Sequence, residues 1–141
     1  MSEINYDKLK NSLKRLEERY NFYLKEEGNI KDKDIFESIK ESCIQRFEVC
    51  YDTLWKHLSK YLENDVGIVE PLGGPNHVFK IAFSAGIISD SEMWIDFNKK
   101  RGDTSHDYSG DKAQTTFEVI GSFVEESIAL YEKMTQEKWS K

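Results

Sequence analysis

The sequence predicts an all-α protein, an antiparallel helical bundle of about five helices. Three observations predict it. Apolar residues recur at steps of three and four through most of the 141-residue chain. The clearest interruption is the breaker Pro71-Leu72-Gly73-Gly74-Pro75, after which a short helical insertion precedes the third long helix. No run alternates polar and apolar residues for long enough to make a strand.

The first helix is predicted from Asp7 to about Glu26, with its seam at Leu9, Leu13, Leu16, Tyr20 and Tyr23. Gly28 and Asn29 end it. Asp34 with Glu37 reads as a capping box for the second helix. Its stripe runs Ile35, Ile39, Cys43, Phe47, Cys50, Leu54, Leu58 and Tyr61, widened by Trp55 and Leu62. At roughly 30 residues and 1.5 Å per residue it would be about 45 Å long, the spine of the fold. A short third helix spans about Pro75 to Ala85, with Pro75 in its first turn and Phe79, Ala82 and Phe83 as its core face. Ser89 and Glu92 form a second capping box, opening a helix with Met93, Trp94 and Phe97 that ends near Arg101-Gly102. The last helix starts between Asp107 and Asp111 and carries Phe117, Ile120, Val124, Ile128 and Tyr131 to the C-terminus. With no repeat and no linker, residues 1–141 read as a single domain.

Composition bounds the function. Hydrophobic residues make up 38% of the chain and charged residues 33%, a globular balance. No segment approaches the roughly 20 apolar residues of a membrane helix. The N-terminus has neither the basic start nor the apolar run of a signal peptide, so a cytoplasmic location is expected. The net charge of −6 argues against a broad nucleic-acid-binding surface. Lys99, Lys100 and Arg101 are a local exception, read either as a compact phosphate site or as solvated cations favoured at a helix C-terminus. Cys43 and Cys50 are seven positions apart on one helix, about 10 Å along its axis. That is too far for a disulfide, and no zinc set surrounds them; both read as buried apolar fillers. His57 and His77 read as structural. Trp55, Trp94, Phe97 and Phe117 read as core or dimer interface rather than as a base-stacking platform.

The segment Arg101-Gly-Asp-Thr-Ser-His-Asp-Tyr108 carries the chemistry. Arginine presents a permanent, forked cation suited to phosphate oxygens. Histidine exchanges protons near neutral pH. Tyrosine adds a hydroxyl that can donate a proton, act as a ligand or be modified. Together these are parts of a phosphodiester-handling site that needs no metal.

The order Arg, four residues, His, one residue, Tyr, with Thr104-Ser105 before His106, resembles the signature of the HEPN superfamily. The likeness is to the small HEPN proteins encoded beside minimal nucleotidyltransferases, also described as nucleotidyltransferase substrate-binding proteins. The third helix, Pro75-Asn-His-Val-Phe-Lys-Ile-Ala-Phe-Ser-Ala-Gly-Ile-Ile, and Glu92-Met-Trp-Ile-Asp-Phe resemble the family's arrangement before its active loop. The residue after the arginine is usually polar in that family; here it is Gly102, with Asp103 one place later, so either Asp103 serves instead or the site is weakened.

The resemblance implies a HEPN-like four-helix bundle and a homodimer whose Arg-His loops meet. It implies a metal-independent endoribonuclease, the toxin of a toxin–antitoxin pair, acting on RNA such as tRNA or mRNA without a cofactor. DNA and membranes are not among the implied partners. Arg101 and His106 would be catalytic, with Asp103, Thr104 and Ser105 supporting. The antitoxin would be a minimal nucleotidyltransferase able to transfer AMP to Tyr108. The alternative is a non-catalytic subunit that binds substrate or partner for a nucleotidyltransferase.

Overall fold

The computed structural model describes residues 4–104 and 107–140, and it is an antiparallel bundle of five α-helices. They are α1 (Asp7–Glu26), α2 (Lys33–Tyr61), α3 (Pro75–Ser84), α4 (Ser91–Asp103) and α5 (Gly110–Thr135). Ser105 and His106 lie outside the described residues. Among those described, no helix is long and apolar enough to cross a membrane.

The first two helices form as their seams predict, with corrections at the ends. Leu9, Leu13, Leu16 and Tyr23 bury one face of α1. Asn5 accepts a hydrogen bond from the Asp7 N–H at 2.8 Å and so satisfies one orphan donor of its first turn. The cap of α2 is Asp32, not Asp34: its carboxylate accepts from the Asp34 and Ile35 N–H groups at 2.9 and 3.3 Å. Ile35 is therefore exposed, and the buried stripe begins at Ile39. From there α2 is buried over a wide arc, because it packs against each of the other four helices. Cys43 and Cys50 are buried free thiols, as expected. His57 is structural: Nδ1 lies 2.8 Å from the Thr53 carbonyl and Nε2 3.2 Å from the Asn5 carbonyl.

A π-helical turn, Leu62–Val66, extends α2. Gly67 closes it with φ +86°, a conformation that costs glycine least. Pro75 opens α3 at its first position, as expected. The core face of α3 is Val78, Phe79 and Ala82, whereas Phe83 is exposed; the seam turns by one position from that predicted. The cap of α4 is Asp90, which accepts from the Met93 N–H at 3.0 Å, in place of the expected Ser89.

Aromatic packing locks the α3–α4 unit onto the bundle. Phe79 and Trp94 stack at 4.9 Å between centroids and 9° between planes. Trp94 meets Phe97 edge-on at 5.2 Å, and Phe97 meets Phe123 of α5 at 5.3 Å. This fixes α4 against α2 and α5, and with it the position of Arg101 in its last turn. At the other end, α5 stops at Thr135 rather than running to the C-terminus. Gln136 turns left-handed with φ 63°, and the tail folds back over α1. There Trp139 donates its indole N–H to Glu17 at 3.0 Å and packs edge-on against Tyr131.

Candidate functional site

The expected site residues fall at the junction of α4 and α5, and α2 supplies the groups that hold them. Arg101 lies in the last turn of α4, so its side chain reaches across to α2. Its Nε donates to Asp52 Oδ1 at 3.2 Å and its Nη2 to Asp52 Oδ2 at 3.0 Å, a forked pair. Its Nη1 lies 3.4 Å from Glu48 Oε2. The Arg101 side chain is 27% exposed, and the Asp52 hydrogen bond holds its pKa above the ordinary arginine value.

Glu48 is the hub of this arrangement. It is 6% exposed, and both carboxylate oxygens are used. Oε1 accepts from the Tyr108 hydroxyl at 2.8 Å. Oε2 accepts from the buried Thr104 hydroxyl at 3.1 Å and faces Arg101. A buried carboxylate is tolerated where donors surround it, and here three side chains of the Arg101–Tyr108 segment do so. The same hydrogen bond raises the Tyr108 pKa, because it favours the protonated phenol beside a negative oxygen.

Other residues of the segment go elsewhere. Asp103 pairs with Lys99 at 3.0 Å, one turn back on α4, rather than joining Arg101. Lys100 pairs with Asp96 at 3.1 Å. Two cations of the basic spot are thus matched along their own helix. Gly102 lies in the last turn of α4, close to the end expected. Asp107 accepts from both the Ser109 N–H and its hydroxyl, at 2.9 and 2.7 Å, folding the chain into α5. Gly110 enters α5 with φ +82°, which favours glycine there. The expected catalytic residue His106 and the supporting Ser105 lie outside the described residues. Among the described residues, no cluster of three or more His, Cys, Asp or Glu side chains is placed to hold a metal ion.

Sequence reasoning missed Glu48 and Asp52. A signal existed: Glu48 lies four positions after Ile44 and three before Tyr51, both apolar and buried. An acidic residue on such a face needs a partner. Asp52, at i+4, shares its side of the helix. Chemically, the cluster presents one guanidinium against two carboxylates, with Asp52 at the rim, its side chain 40% exposed. Nη hydrogens beyond these pairs are the ones a phosphate oxygen would take.

Comparison with known proteins gives three likenesses. Residues 4–136 match the family described as "Nucleotidyltransferase substrate binding protein like". The chain is 30% identical over 95 residues to a Haemophilus influenzae protein (strain ATCC 51907 / DSM 11121 / KW20 / Rd) named "Probable ribonuclease HepT". That alignment covers 66% of this chain and 65% of the relative's length. A crystal structure of a Thermus thermophilus protein superimposes with a TM-score of 0.72, covering 90% of this chain and 98% of that one. At 19% identity it speaks to the fold alone.

Proposed function

The chain belongs to the nucleotidyltransferase substrate binding protein like family, of the HEPN type, and from that premise we propose that it is a metal-independent endoribonuclease. It would be the toxin of a toxin–antitoxin pair, working as a homodimer of single-domain chains on RNA, in the cytoplasm. One observation carries the reading: Arg101, Thr104 and Tyr108 converge on Glu48, so the residues on either side of His106 are held as a unit. The name of the Haemophilus relative supports the same activity.

In this reading His106 removes the proton of a ribose 2′-hydroxyl, or returns one to the leaving 5′-oxygen. The 2′-oxygen bonds to phosphorus as the bond to the 5′-oxygen breaks. Two loops meeting across a dimer would supply both an acid and a base. Arg101 neutralises the charge that builds on the phosphate oxygens. Glu48 orients its guanidinium before substrate arrives, and Asp52 at the rim gives way to the phosphate.

A minimal nucleotidyltransferase is the proposed antitoxin. The Tyr108 oxygen would attack the α-phosphorus of ATP, pyrophosphate would leave, and Glu48 at 2.8 Å is placed to receive the phenolic proton. A nucleotide two residues from His106 would then block RNA and repel its phosphate.

A second reading, a non-catalytic partner subunit of a nucleotidyltransferase, is favoured by the excess of carboxylates over cations around Arg101. Incubation of the purified protein with tRNA and total RNA in EDTA separates the two. Cleavage that falls by about 10²–10⁴-fold in His106→Ala supports the ribonuclease. No cleavage, together with tight binding of the transferase, supports the subunit.

A further inference from the structure

Away from Arg101, the groove between α1 and α2 carries charge opposite to that of the chain as a whole. Arg15 and Arg19 stand one turn apart on α1, and Arg46 faces them from α2. Among the described residues, none of the three makes a hydrogen bond or an ion pair. Like charges at i and i+4 oppose helix formation by a few tenths of a kcal/mol, and no carboxylate forms an ion pair with Arg15 or Arg19 among the described residues. With Lys8, the groove gathers four cations against the carboxylates of Asp7 and Glu18, in a chain of net charge −6.

The groove is also open and partly apolar. Its larger section is a cavity of about 660 Å³ lined in part by Val49, which is 54% exposed. A second section, sharing Arg15 and Arg46, adds Phe22 at 42% exposure. Unpaired guanidinium groups beside an exposed aromatic ring are the combination that holds a single strand, with charge on the phosphates and stacking on a base. Arg46 precedes Asp52 by six positions on α2, about 9 Å along the axis. The groove therefore shares α2 with the Glu48 and Asp52 that hold Arg101, but on another face, since Arg46 and Glu48 are two positions, about 200° of turn, apart.

We propose that the α1–α2 groove is a second binding site for single-stranded RNA, in which Arg15, Arg19 and Arg46 hold backbone phosphates and Phe22 stacks a base. This rests on the ribonuclease reading for its substrate class, but its test does not depend on cleavage. Only a strand long enough to pass round α2 from Arg101 would occupy both sites, which would favour long substrates over short ones.

The experiment measures binding of a labelled, uncleavable 2′-O-methyl RNA of about 12 nucleotides across a salt series, by fluorescence anisotropy. Arg15→Gln/Arg19→Gln/Arg46→Gln should weaken binding about tenfold or more and lower the salt slope by about 2, near 0.7 per lost phosphate contact. Phe22→Ala should weaken binding without changing the slope. Cleavage of a dinucleotide, too short to reach the groove, should be the same in the triple variant as in the wild type. Unchanged affinity and slope in the triple variant would overturn the proposal, as would a wild-type protein that binds no RNA. If no form cleaves but the binding differences hold, the ribonuclease reading falls and the groove stands.

Discussion

Glu48 Oε1 accepts the Tyr108 hydroxyl at 2.8 Å, while its other oxygen serves Thr104 and Arg101. One buried carboxylate on α2 therefore sets the geometry of a segment more than fifty residues away. Removing it takes the acceptor from the Tyr108 hydroxyl and one of two acceptors from Thr104, which keeps the Lys100 carbonyl at 3.2 Å, and leaves Arg101 with Asp52 alone. Glu48→Ala should cost about 2–3 kcal/mol by urea denaturation, with Glu48→Gln losing less. A wild-type midpoint for Glu48→Ala would mean that the hub does not hold the site together.

Asp52 makes the shorter contacts to Arg101 but stands at the rim, so its effect should be different in kind. Asp52→Asn should change stability by no more than about 1 kcal/mol, as for an exposed ion pair. It should also tighten RNA binding, because the carboxylate that competes with phosphate for the guanidinium is neutralised. Anisotropy titrations of the wild type and the variant check this; weaker binding by Asp52→Asn would make Asp52 a support rather than a competitor.

Tyr108→Phe keeps the ring and loses the hydroxyl, leaving Glu48 Oε1 one donor short. The expected loss is about 1 kcal/mol of stability. Intact-mass spectrometry after incubation with the transferase and ATP should find an AMP adduct on the wild type and none on Tyr108→Phe. An adduct on the variant would place the modification elsewhere.

Burial pushes the Cys50 thiol from 9.0 up to about 12 and the Cys43 thiol up to about 11. A raised folded-state pKa means that the unfolded chain releases these protons first as pH rises. Their contribution to stability is therefore full below about pH 9 and is lost progressively as pH climbs through 11 and 12. Urea midpoints should fall across that alkaline range. Neither thiol should react with a maleimide at pH 8 until the protein unfolds; rapid labelling of the native protein would contradict the burial.

The helices were legible because their seams were strongly periodic: α1 was readable to within a residue at each end. The caps were harder, because Asp32 and Asp34, or Ser89 and Asp90, are equally good cap residues by type and only the backbone selects one. Phe83 and Ile35 read as core by hydrophobicity, yet face solvent because a short α3 and the first turn of α2 have no neighbour on that side. Arg101, Thr104 and Tyr108 were legible from spacing. Their partners were not, since Glu48 and Asp52 lie about fifty residues earlier and meet them only when α4 packs across α2. The α1–α2 groove was hidden for the same reason: Arg15 and Arg19 are brought beside Arg46 by packing, and the net charge of the chain pointed the other way.

The central claim is tested most directly by the chemistry of the RNA ends produced in EDTA by the wild type, Arg101→Ala and His106→Ala. Attack by the 2′-hydroxyl predicts 2′,3′-cyclic phosphate and 5′-hydroxyl ends from the wild type. The rate should fall by about 10²–10⁴-fold in His106→Ala and by about 10²–10³-fold in Arg101→Ala, with helical circular dichroism unchanged. Ends of the opposite polarity, or undiminished cleavage by His106→Ala, would contradict the account.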